Sequence, residues 1–512
     1  MHRKENREKS SVRKENRSIL RESASWAPFS FSYCTVAPER ECGMSVGITS
    51  RTVLKRLQSE SGRVGVRRVI KIGVLLLAFG KAAQPAVCRA EPQLTVQHRQ
   101  TLCRHIDPEK PRRIAVFLGQ RAENIKGADL IIYTAAIMAD NPELIAAKAS
   151  GAICCERAEI LGLVTSWYTN ALCVSGTHGK TTTTSMLAHV LLSADADPTV
   201  TVGGELDAIG GNLRLGNSKY FLTEACEYHR SFLRFFPKMG IILNVDADHL
   251  DYFKDIDEIK ETFCDFARLL PDDGCLIVSH DNKNALETAK CAKCKVVTFG
   301  INGGDVTAQN IKYDNYARYE FDVCVNGKTI EHIKLNVCGE HNVLNALAAF
   351  AAGYELGFGT DKIKKGLELF GGTHRRFELK GEKNGFTVVD DYAHHPTEIE
   401  ATLTTAKIGK KGDVWCVFQP HTYSRTKALL NDFARALSIA DKVIVTDIYA
   451  AREKDTGIVS AKDLADITDG AVYIKKFEDI ADYVLKNAKP GDTVITMGAG
   501  TVWKVGDIIL NK

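Results

Sequence analysis

Residues 171–183 read ALCVSGTHGKTTT, and this stretch decides how the rest of the chain is interpreted. Its apolar start predicts a strand over 171–174, and the glycine-containing segment after it predicts a tight turn. Beyond Lys180, apolar residues recur at helical spacing, namely Met186, Leu187, Val190 and Leu191. A strand, a glycine turn and a Lys-Thr pair that opens a helix are the parts of a phosphate-binding loop. The sequence therefore predicts that an α/β domain binds a nucleotide here.

The chemistry of this loop follows from its residue types. Backbone N–H groups converge on phosphate oxygens, and the helix N-terminus adds partial positive charge. Lys180 can reach the β- and γ-phosphates, and the Thr181 hydroxyl can coordinate Mg²⁺. Val174 stands where the commoner motif has its outer glycine, which leaves G-x-x-G-K-T, and the alternative is a chance glycine turn. The residues expected to contact the nucleotide are Gly176, Thr177, His178, Gly179, Lys180, Thr181 and Thr182.

Two acidic segments follow predicted strands downstream of the loop. One strand ends at EACE (224–227), and another is followed by DADHLD (246–251). Open α/β sheets bind ligands at the carboxyl ends of their strands. Mg²⁺ prefers oxygen ligands, so Glu224 and Thr181 could supply two, and a neutral His249 is an acceptable third. On composition alone, the second segment would be a solvated loop with an aspartate helix cap.

A later helix carries two asparagines on one side. HNVLNALAAF (341–350) has an apolar stripe of helical spacing, and Asn342 and Asn345 lie three residues apart, on the same face. Two amides so placed can read the edge of an adenine base, although asparagine also commonly caps helices. In GGTHRRFE (371–378), one of the two paired arginines could clamp a phosphate between two domains, whereas paired arginines are more often only solvated.

Polar residues also follow strands near the C-terminus. DDYAHHPTE (390–398) and QPHTYSR (419–425) each come after a predicted strand. A salt-bridged surface loop is the ordinary interpretation of the second segment, but Arg425 suits the carboxylate of a small ligand. The segment 498–500 has neither the third glycine nor the acidic partner of a dinucleotide fingerprint, and we interpret it as a tight turn.

Strands and helices alternate from residue 114 onwards, which predicts parallel sheets. We predict an α/β fold of three domains: a Rossmann-like N-terminal domain that is degraded or divergent at its start, a central parallel sheet like that of P-loop ATPases, and a Rossmann-like C-terminal domain. The predicted limits are 114–168, 169–379 and 380–512, after a divergent basic head at 1–113. Strands are predicted over 114–119, 130–134, 171–174, 220–223, 241–245, 386–389, 414–418, 443–445 and 493–496, and helices begin at Pro142 and Pro396.

Composition and charge exclude other classes of protein. Of the 512 residues, 45% are apolar and 25% are charged, which argues against wholesale disorder, and no apolar run approaches the length of a membrane span. Residues 1–113 hold 23 Lys and Arg against 10 Asp and Glu, a charge of +13, so the remainder carries −9 in a net charge of +4. An acidic body gives no support for nucleic-acid binding.

The head lacks the pattern of the rest. We interpret it as a disordered extension or as out-of-frame coding sequence, and the alternative is a genuine lineage-specific extension. The apolar run over 69–79 is expected to be a buried strand, because it lies too far from the N-terminus for a signal peptide. Fifteen cysteines are scattered, and the one C-x-x-C pair, Cys291 and Cys294, is too little for a zinc site. We therefore expect reduced thiols in a cytoplasmic protein.

In combination, these motifs resemble those of the Mur ligase family, the ATP-dependent enzymes that join amino acids to the peptidoglycan precursor. The resemblance covers residues 114–512 and implies that ATP and Mg²⁺ are required. The implied magnesium ligands are Thr181, Glu224 and His249. The implied adenosine contacts are Asn342, Asn345 and Asp391. The implied catalytic residues are Lys180, Glu224, His249 and Arg376, the last on the nucleotide phosphate. Cys226 stands where the family often has aspartate.

DDYAHHP and FQPHTYSRT together resemble one branch of the family, which joins L-alanine to the lactyl carboxylate of UDP-N-acetylmuramate through an acyl phosphate. The resemblance implies these two substrates as partners, with no nucleic acid and no membrane. The implied contacts to L-alanine are Tyr392, His421 and Arg425. The implied contacts to the UDP-sugar are Asn141, Gly204 and Glu227. Thr422 stands where the family often has arginine.

Two alternatives stay open. A related ligase that recycles whole peptides onto the same sugar shares the ATP motifs. The family also opens with a strand and a G-x-G-G-x-x-M-S segment, whereas the nearest fragment here, GMSVG (43–47), has no apolar strand before it. A chain whose first domain is impaired in this way would be an ATP-binding remnant of a ligase.

Overall fold

The computed structural model describes residues 117, 119–128, 130–135, 137–249, 252–408, 411–451 and 453–512. The head at 1–113, which includes the strand expected over 69–79, lies outside these residues, as does most of the strand predicted over 114–119. The described part of the chain forms three successive sheets of two, ten and six strands. The α/β fold is therefore confirmed, while the domain limits remain predictions.

The first sheet belongs to a short β-α-β unit. Its elements are β1 (Leu130–Tyr133), α1 (Pro142–Ala149), β2 (Ile153–Glu156) and α2 (Arg157–Thr165). The two strands are parallel, so a crossover helix must connect them. Asn141 begins α1, because its Oδ1 accepts hydrogen bonds from the backbone N–H groups of Glu143 and Leu144 at 2.9 and 3.1 Å. The helix predicted at Pro142 is thus confirmed.

The second sheet has the strand order β12-β11-β10-β9-β8-β7-β3-β6-β4-β5. Its strands are β3 (Asn170–Ser175), β4 (Thr199–Leu206), β5 (Gly211–Arg214), β6 (Tyr220–Glu224), β7 (Met239–Ile242), β8 (Cys275–Ser279), β9 (Lys295–Gly300), β10 (Val306–Tyr313), β11 (Arg318–Val325) and β12 (Lys328–Cys338). Its helices are α3 (Lys180–Ser193), α4 (Ile256–Arg268), α5 (Lys283–Ala289), α6 (His341–Glu355) and α7 (Thr360–Leu369).

The middle of this sheet is parallel, as predicted, but its two ends are not. Strands β4, β6, β3, β7, β8 and β9 pair in parallel, whereas β5 and the meander β10–β12 pair antiparallel. Strand β3 is central, with Leu172 and Val174 in one apolar core and Cys173 in the other. A strand buried on both faces reads as a continuous apolar run, which is why the sequence revealed it. The meander was not predicted, although the alternation of Tyr319, Phe321 and Val323 with polar residues is typical of a half-buried strand.

One predicted strand in this sheet was misplaced. The strand predicted over 241–245 is β7, which begins two residues earlier and ends at Ile242. The sequence of residues 243–245 looks like a continuation of the strand, but these residues leave the sheet. The backbone N–H of Leu243 still donates to the carbonyl of Ser175, 3.0 Å away, so this segment lies beside the phosphate loop.

The third sheet has the order β13-β14-β18-β15-β16-β17. Its strands are β13 (Glu378–Lys383), β14 (Phe386–Asp391), β15 (Val414–Phe418), β16 (Lys442–Val445), β17 (Val472–Tyr473) and β18 (Thr493–Met497). Its helices are α8 (Pro396–Ile408), α9 (Tyr423–Ala428), α10 (Leu430–Leu437), α11 (Ala461–Ile467), α12 (Phe477–Asn487) and α13 (Trp503–Asn511). All neighbouring strands except β13 and β14 are parallel, which agrees with the predicted Rossmann-like domain.

The expectation of reduced thiols is wrong for one pair of cysteines. A disulfide joins Cys264 in α4 to Cys291 just beyond α5, with Cα atoms 5.3 Å apart. The two helices pack together, and this Cα separation is within the range that a disulfide spans. The sequence could not show this pairing, because the partners are 27 residues apart. Among the described residues, no helix has both the length and the hydrophobicity needed to cross a bilayer.

Candidate functional site

The phosphate loop joins β3 to α3 and depends on two glycines. Gly176 has a φ of 138° and Gly179 a φ of 84°, values that residues with side chains avoid. A Cβ atom on Gly179 would lie 2.6 Å from Oδ1 of Asn345 in α6. Only glycine therefore allows α6 to approach the loop this closely. The predicted strand, turn and helix are present in the predicted order.

Asn244, just after β7, fixes the backbone of this loop. Its carbonyl oxygen accepts a hydrogen bond from the N–H of Thr177 at 3.1 Å. Its side chain accepts from the N–H of His178 at 2.7 Å and donates to the carbonyl of the same residue at 3.1 Å. Three hydrogen bonds to one asparagine hold the turn in shape, so its remaining N–H groups stay oriented for an anion.

Lys180, the first residue of α3, is surrounded by oxygen atoms. Its Nζ donates to the carbonyls of Gly176 and Thr177 and lies 3.0 Å from Oε2 of Glu227, which is almost fully buried. Burial lowers the pKa of Lys180, but the Glu227 carboxylate outweighs this effect and the pKa is raised. Lys180 is therefore charged. Glu227, which the resemblance assigned to the UDP-sugar, contacts this lysine.

The three predicted magnesium ligands are Thr181, Glu224 and His249. A Cβ atom on Gly203 would lie 2.9 Å from Oε1 of Glu224, and one on Gly204 would lie 3.3 Å from Cγ2 of Thr181. Two successive glycines of β4 thus lie against both ligands. Nε2 of His249 is 3.8 Å from Oε1 of Glu227.

This donor set fits a hard divalent cation. Burial lowers the pKa of His249, which favours the neutral imidazole that can bind a metal. One carboxylate, one hydroxyl and one imidazole leave room for the waters and phosphate oxygens that Mg²⁺ usually keeps. Within the described parts of the chain, no group of three or more His, Cys, Asp or Glu side chains is arranged to hold a metal. The predicted set contains two such residues and one threonine.

The two asparagines of α6 face the same side, as predicted. Nδ2 of Asn345 donates to Oδ1 of Asn342 at 2.9 Å, and Oδ1 of Asn345 accepts from the Thr183 hydroxyl at 3.1 Å. Nδ2 of Asn342 donates to the carbonyl of Cys338 at 2.7 Å. Both amides are buried and fixed in orientation, so their arrangement is set before any ligand arrives.

The two consecutive arginines have different surroundings. Nε of Arg375 lies 2.8 Å from Oδ2 of Asp390, and its NH2 group donates to the carbonyl of Gly498 at 2.7 Å. Its backbone has a φ of 63°, and its side chain points toward the third sheet. Arg376 instead lines the cavity between the second and third sheets. Both guanidinium groups lie over the ring of Tyr392, 4.9 Å from its centroid for Arg375 and 5.3 Å for Arg376. The first arginine holds the fold, and the second is free to meet a ligand in the cavity.

Asp391, at the end of β14, also fixes the segment that carries Arg376. Its carboxylate accepts hydrogen bonds from the N–H groups of Phe377 and Ala393, both at 2.7 Å. Burial raises the pKa of Asp391 to about 6, and the nearby Arg376 opposes this rise. The aspartate is one of the residues that line the cavity.

The residues predicted to bind the amino acid lie near one another. The ring of His394 is 5.4 Å from that of Tyr392 and 5.7 Å from that of His421. The NH2 group of Arg425 donates to Oδ1 of Asp248 at 3.0 Å, and both side chains are largely buried. Arg425 therefore faces the loop that carries His249, across the boundary between the second and third sheets.

A cavity of about 730 Å³ lies between these two sheets, a usual size for a small-molecule site. It brings together parts of the phosphate loop, α6, the arginine segment and α8. The predicted site residues in its lining are His178, Gly179, Thr182, Asn342, Asn345, Arg376 and Asp391. Lys180 and His249 lie outside this lining, beside Glu227. The other predicted site residues that do not line the cavity include Thr181, Glu224, Tyr392, His421 and Arg425. Asn141 is in the first unit, where its side chain caps α1.

Three residues near the site were not assigned a role from the sequence. Asn244 fixes the phosphate loop, Asp248 pairs with Arg425, and Glu398 lies 3.1 Å from His178. Asp248 and Glu398 belong to the polar segments 246–251 and 390–398, and Asn244 to the strand predicted over 241–245, but the partner of each is far away in sequence. No local spacing could have revealed these contacts.

His394 gives the fold a specific pH dependence. Burial lowers the pKa of His394 from 6.5 to about 4. Between these values the unfolded chain binds a proton that the folded chain does not, so the free energy of unfolding falls as the pH falls. We expect a loss on the order of 2 kcal/mol from pH 7 to pH 4.5 relative to His394→Asn.

The asparagine in this variant retains a donor for the carbonyl of Tyr392, which Nδ1 of His394 contacts at 3.0 Å. Urea unfolding of both proteins at the two pH values measures the difference. Equal pH slopes for wild type and variant would contradict the prediction.

The fold and site define an enzyme class in which a P-loop α/β domain and a Rossmann-like domain enclose a nucleotide-sized cavity. Residues 174–353 match the model of the Mur ligase middle domain, and residues 375–500 match that of the Mur ligase glutamate ligase domain. The chain belongs to the Mur ligase family, and the resemblance found in the sequence is confirmed.

Known proteins specify the similarity further. The UDP-N-acetylmuramate–L-alanine ligase of Clostridium botulinum strain Langeland is 52% identical over 406 residues, which cover 78% of this chain and 89% of the relative. The solved UDP-N-acetylmuramate-alanine ligase MurC of Thermotoga maritima has a TM-score of 0.67 at 30% identity, over 78% of this chain and 88% of that one. The MurF ligase of Thermotoga maritima, solved in complex with ADP, shares the fold, with a TM-score of 0.58 at 18% identity, over 75% of this chain and 89% of that one.

Proposed function

We propose that this protein is an ATP-dependent ligase that joins L-alanine to the lactyl carboxylate of UDP-N-acetylmuramate, a step in the synthesis of peptidoglycan precursor. One observation carries the proposal: the phosphate loop and Arg376 border the same interdomain cavity. The curated relative at 52% identity bears the name of this activity. Because its substrates are small molecules linked to nucleotides or free in the cell, we propose the cytoplasm as its location.

The first step activates a carboxylate. An oxygen of the lactyl carboxylate attacks the γ-phosphorus of ATP, the bond to the β,γ-bridging oxygen breaks, and ADP leaves with the electron pair. Lys180 would offset negative charge on the transferring group from the loop side, and Arg376 from the side of the third sheet. Fixed donors of this kind stabilise the transition state more than the ground state.

The second step forms the amide bond. The neutral amine of L-alanine attacks the acyl carbon to give a tetrahedral intermediate. The bond from this carbon to the phosphate oxygen then breaks, and phosphate leaves with the proton that the nitrogen gives up. We propose that Arg425 binds the carboxylate of L-alanine, and that Tyr392 and His421 border its small side chain. The contacts across the domain boundary exclude water, which would otherwise hydrolyse the acyl phosphate.

We also propose Thr181, Glu224 and His249 as ligands of a magnesium ion, which would neutralise phosphate charge when bound. Asn342, Asn345 and Asp391 would contact adenosine. For the UDP-sugar, Asn141, Gly204 and Glu227 stay as proposed contacts. The ion pair of Glu227 with Lys180 supports a position next to the reacting phosphate for this glutamate.

A coupled phosphate-release assay tests the function. Purified full-length protein is given UDP-N-acetylmuramate, ATP, Mg²⁺ and one candidate from a panel of L-alanine, other amino acids and the tripeptide that a recycling ligase would use. We expect release with L-alanine and little with the others. Preference for the tripeptide would indicate the recycling activity, and ATP binding with no release would indicate a ligase remnant.

Replacing Arg425 tests the amino-acid site. We expect Arg425→Ala to raise the KM for L-alanine about 10- to 100-fold, because a charge-assisted hydrogen-bonded pair is lost, with far less effect on the KM for ATP. Arg425→Lys keeps a charge opposite Asp248 and separates loss of charge from loss of the planar fork.

Arg435→Ala is the matched control, since Arg435 on α10 is mostly exposed and should leave both constants unchanged. Steady-state kinetics with each substrate varied provides the measurement. Equal increases in both KM values would remove Arg425 from the amino-acid site.

A further inference from the structure

His178 of the phosphate loop and Glu398 of α8 form a hydrogen bond across the boundary between the second and third sheets. Nδ1 of His178 lies 3.1 Å from Oε1 of Glu398, and the side chains are only 14% and 17% exposed. We propose that these two residues are a positioning pair, which docks the third domain on the nucleotide-loaded phosphate loop and so brings the amino acid to the activated carboxyl group. This inference rests on the proposed function and adds to it a coupling between two binding sites.

Hydrogen bonds to Asn244 hold the backbone of His178 in place, and this fixes where its side chain begins. Its N–H and carbonyl groups are both held by the side chain of Asn244, at 2.7 and 3.1 Å. The next residue, Gly179, is pressed against Asn345. A rearrangement of the loop around phosphates must therefore move the imidazole as well, and with it the hydrogen bond to Glu398.

Glu398 connects this imidazole to the turn that carries the proposed amino-acid contacts. Its Oε1 faces His178, while its Oε2 accepts a hydrogen bond from the backbone N–H of His394 at 3.1 Å. His394 in turn packs against the rings of Tyr392 and His421. One carboxylate thus holds the phosphate loop with one oxygen and the amino-acid turn with the other.

The surroundings of the pair indicate that this contact serves docking and not stability alone. Nε2 of His178 and Nε2 of His395 are both buried without a hydrogen-bond partner among the described residues, and the two rings are 5.0 Å apart. Buried polar atoms without partners cost stability and call for a functional explanation. An ion pair, Arg425 with Asp248, crosses the same boundary. Together the contacts suit a boundary that opens and closes.

A double-mutant cycle on the full-length enzyme tests the pair. His178→Ala should lower kcat for phosphate release about tenfold, and Glu398→Ala at least as much, because it also removes the hydrogen bond to the backbone of His394. The double variant should match Glu398→Ala and not show the product of the two losses, because His178 acts through its contact with Glu398. The Kd for ATP, measured by calorimetry, should rise by no more than about tenfold in each, because docking and nucleotide binding are coupled reciprocally while the backbone donors of the loop remain.

Two further variants separate positioning from general structural damage. His178→Asn places an amide donor close to the position of Nδ1, so its kcat should lie between those of His178→Ala and the wild type. Glu400→Ala, two residues along α8, removes a carboxylate that faces Arg435 and should leave kcat unchanged. Melting temperatures of all variants are recorded, and a kcat loss in His178→Ala that His178→Asn does not reduce would overturn the positioning role.

A readout without catalysis keeps this test independent of the proposed function. With a non-hydrolysable ATP analogue, small-angle scattering should show a compact wild type and more extended His178→Ala and Glu398→Ala variants. The wild type could become compact only when the pair is intact and still release no phosphate with any amino acid. That result would refute the proposed function and support the positioning role of the pair. Independent, multiplicative losses in the cycle, or equal compaction in all variants, would overturn the pair.

Discussion

Lys180→Ala should lower ATP-dependent phosphate release by at least about a thousandfold, because it removes the charge that faces the transferring phosphoryl group. The Nζ atom of Lys180 already sits between the loop carbonyls and Glu227, so its position does not depend on a long flexible reach. Phosphate release with saturating substrates measures the effect. Turnover within tenfold of the wild type would remove this lysine from the reaction.

The same substitution should also destabilise the protein. Glu227 would be left buried without its cation, which costs about 3 kcal/mol in the free energy of unfolding. The double variant Lys180→Ala with Glu227→Gln removes the unpaired charge, and we expect it to regain stability but not activity. Lys290→Ala, at the exposed end of α5, is a control for loss of a lysine. Urea unfolding and phosphate release on the same samples separate the two effects.

The neighbouring arginines should respond to substitution in opposite ways. Arg376→Ala should lower kcat at least about a hundredfold, because a cation near the transferring phosphate is lost. It should lower the free energy of unfolding less than Arg375→Ala does, because the nearby Asp391 keeps its two backbone hydrogen bonds. Arg375→Ala should instead lower the free energy of unfolding by roughly 3 kcal/mol, because it leaves the buried carboxylate of Asp390 without its partner. Its kcat, measured on the folded fraction at low temperature, should fall much less.

Each arginine is the matched control for the other, since they are adjacent in sequence and identical in chemistry. Chemical unfolding and steady-state kinetics are measured on both variants. Suppose that both substitutions change kcat and the free energy of unfolding to the same extent. In that case the structural distinction, with Arg376 acting in the cavity and Arg375 supporting the third sheet, is wrong. A loss of activity confined to Arg375→Ala would exchange their roles.

The sequence could predict the parts of the site that are local. The run from β3 through the phosphate loop to α3 is continuous, so each residue type reports directly on its neighbours. Likewise Asn342 and Asn345 share a face because helix geometry alone requires it. Side chains repeat every two residues in a strand and every 3.6 residues in a helix, so these features can be predicted without knowing the rest of the fold.

Contacts between distant segments could not be predicted in this way. The pairs Lys180–Glu227, Arg425–Asp248 and His178–Glu398 depend on how the second and third sheets and their loops are arranged. The different roles of Arg375 and Arg376 depend on a backbone turn with a positive φ at the first of them. The disulfide also went unpredicted, because its partners lie far apart in sequence. The antiparallel strands β10–β12 went unpredicted although the Asn326-Gly327 turn between β11 and β12 is typical of a hairpin.

The antiparallel meander has a consequence for how this protein can vary. Its turn between β10 and β11 contributes Tyr316, which is 66% exposed, and Arg318 follows in β11; both border the cavity. The phosphate end of the cavity comes from the parallel centre of the sheet, where small changes disturb two cores. The rim is a surface hairpin that tolerates substitution and insertion. Evolution or design can therefore retune one end of the cavity without rebuilding the other.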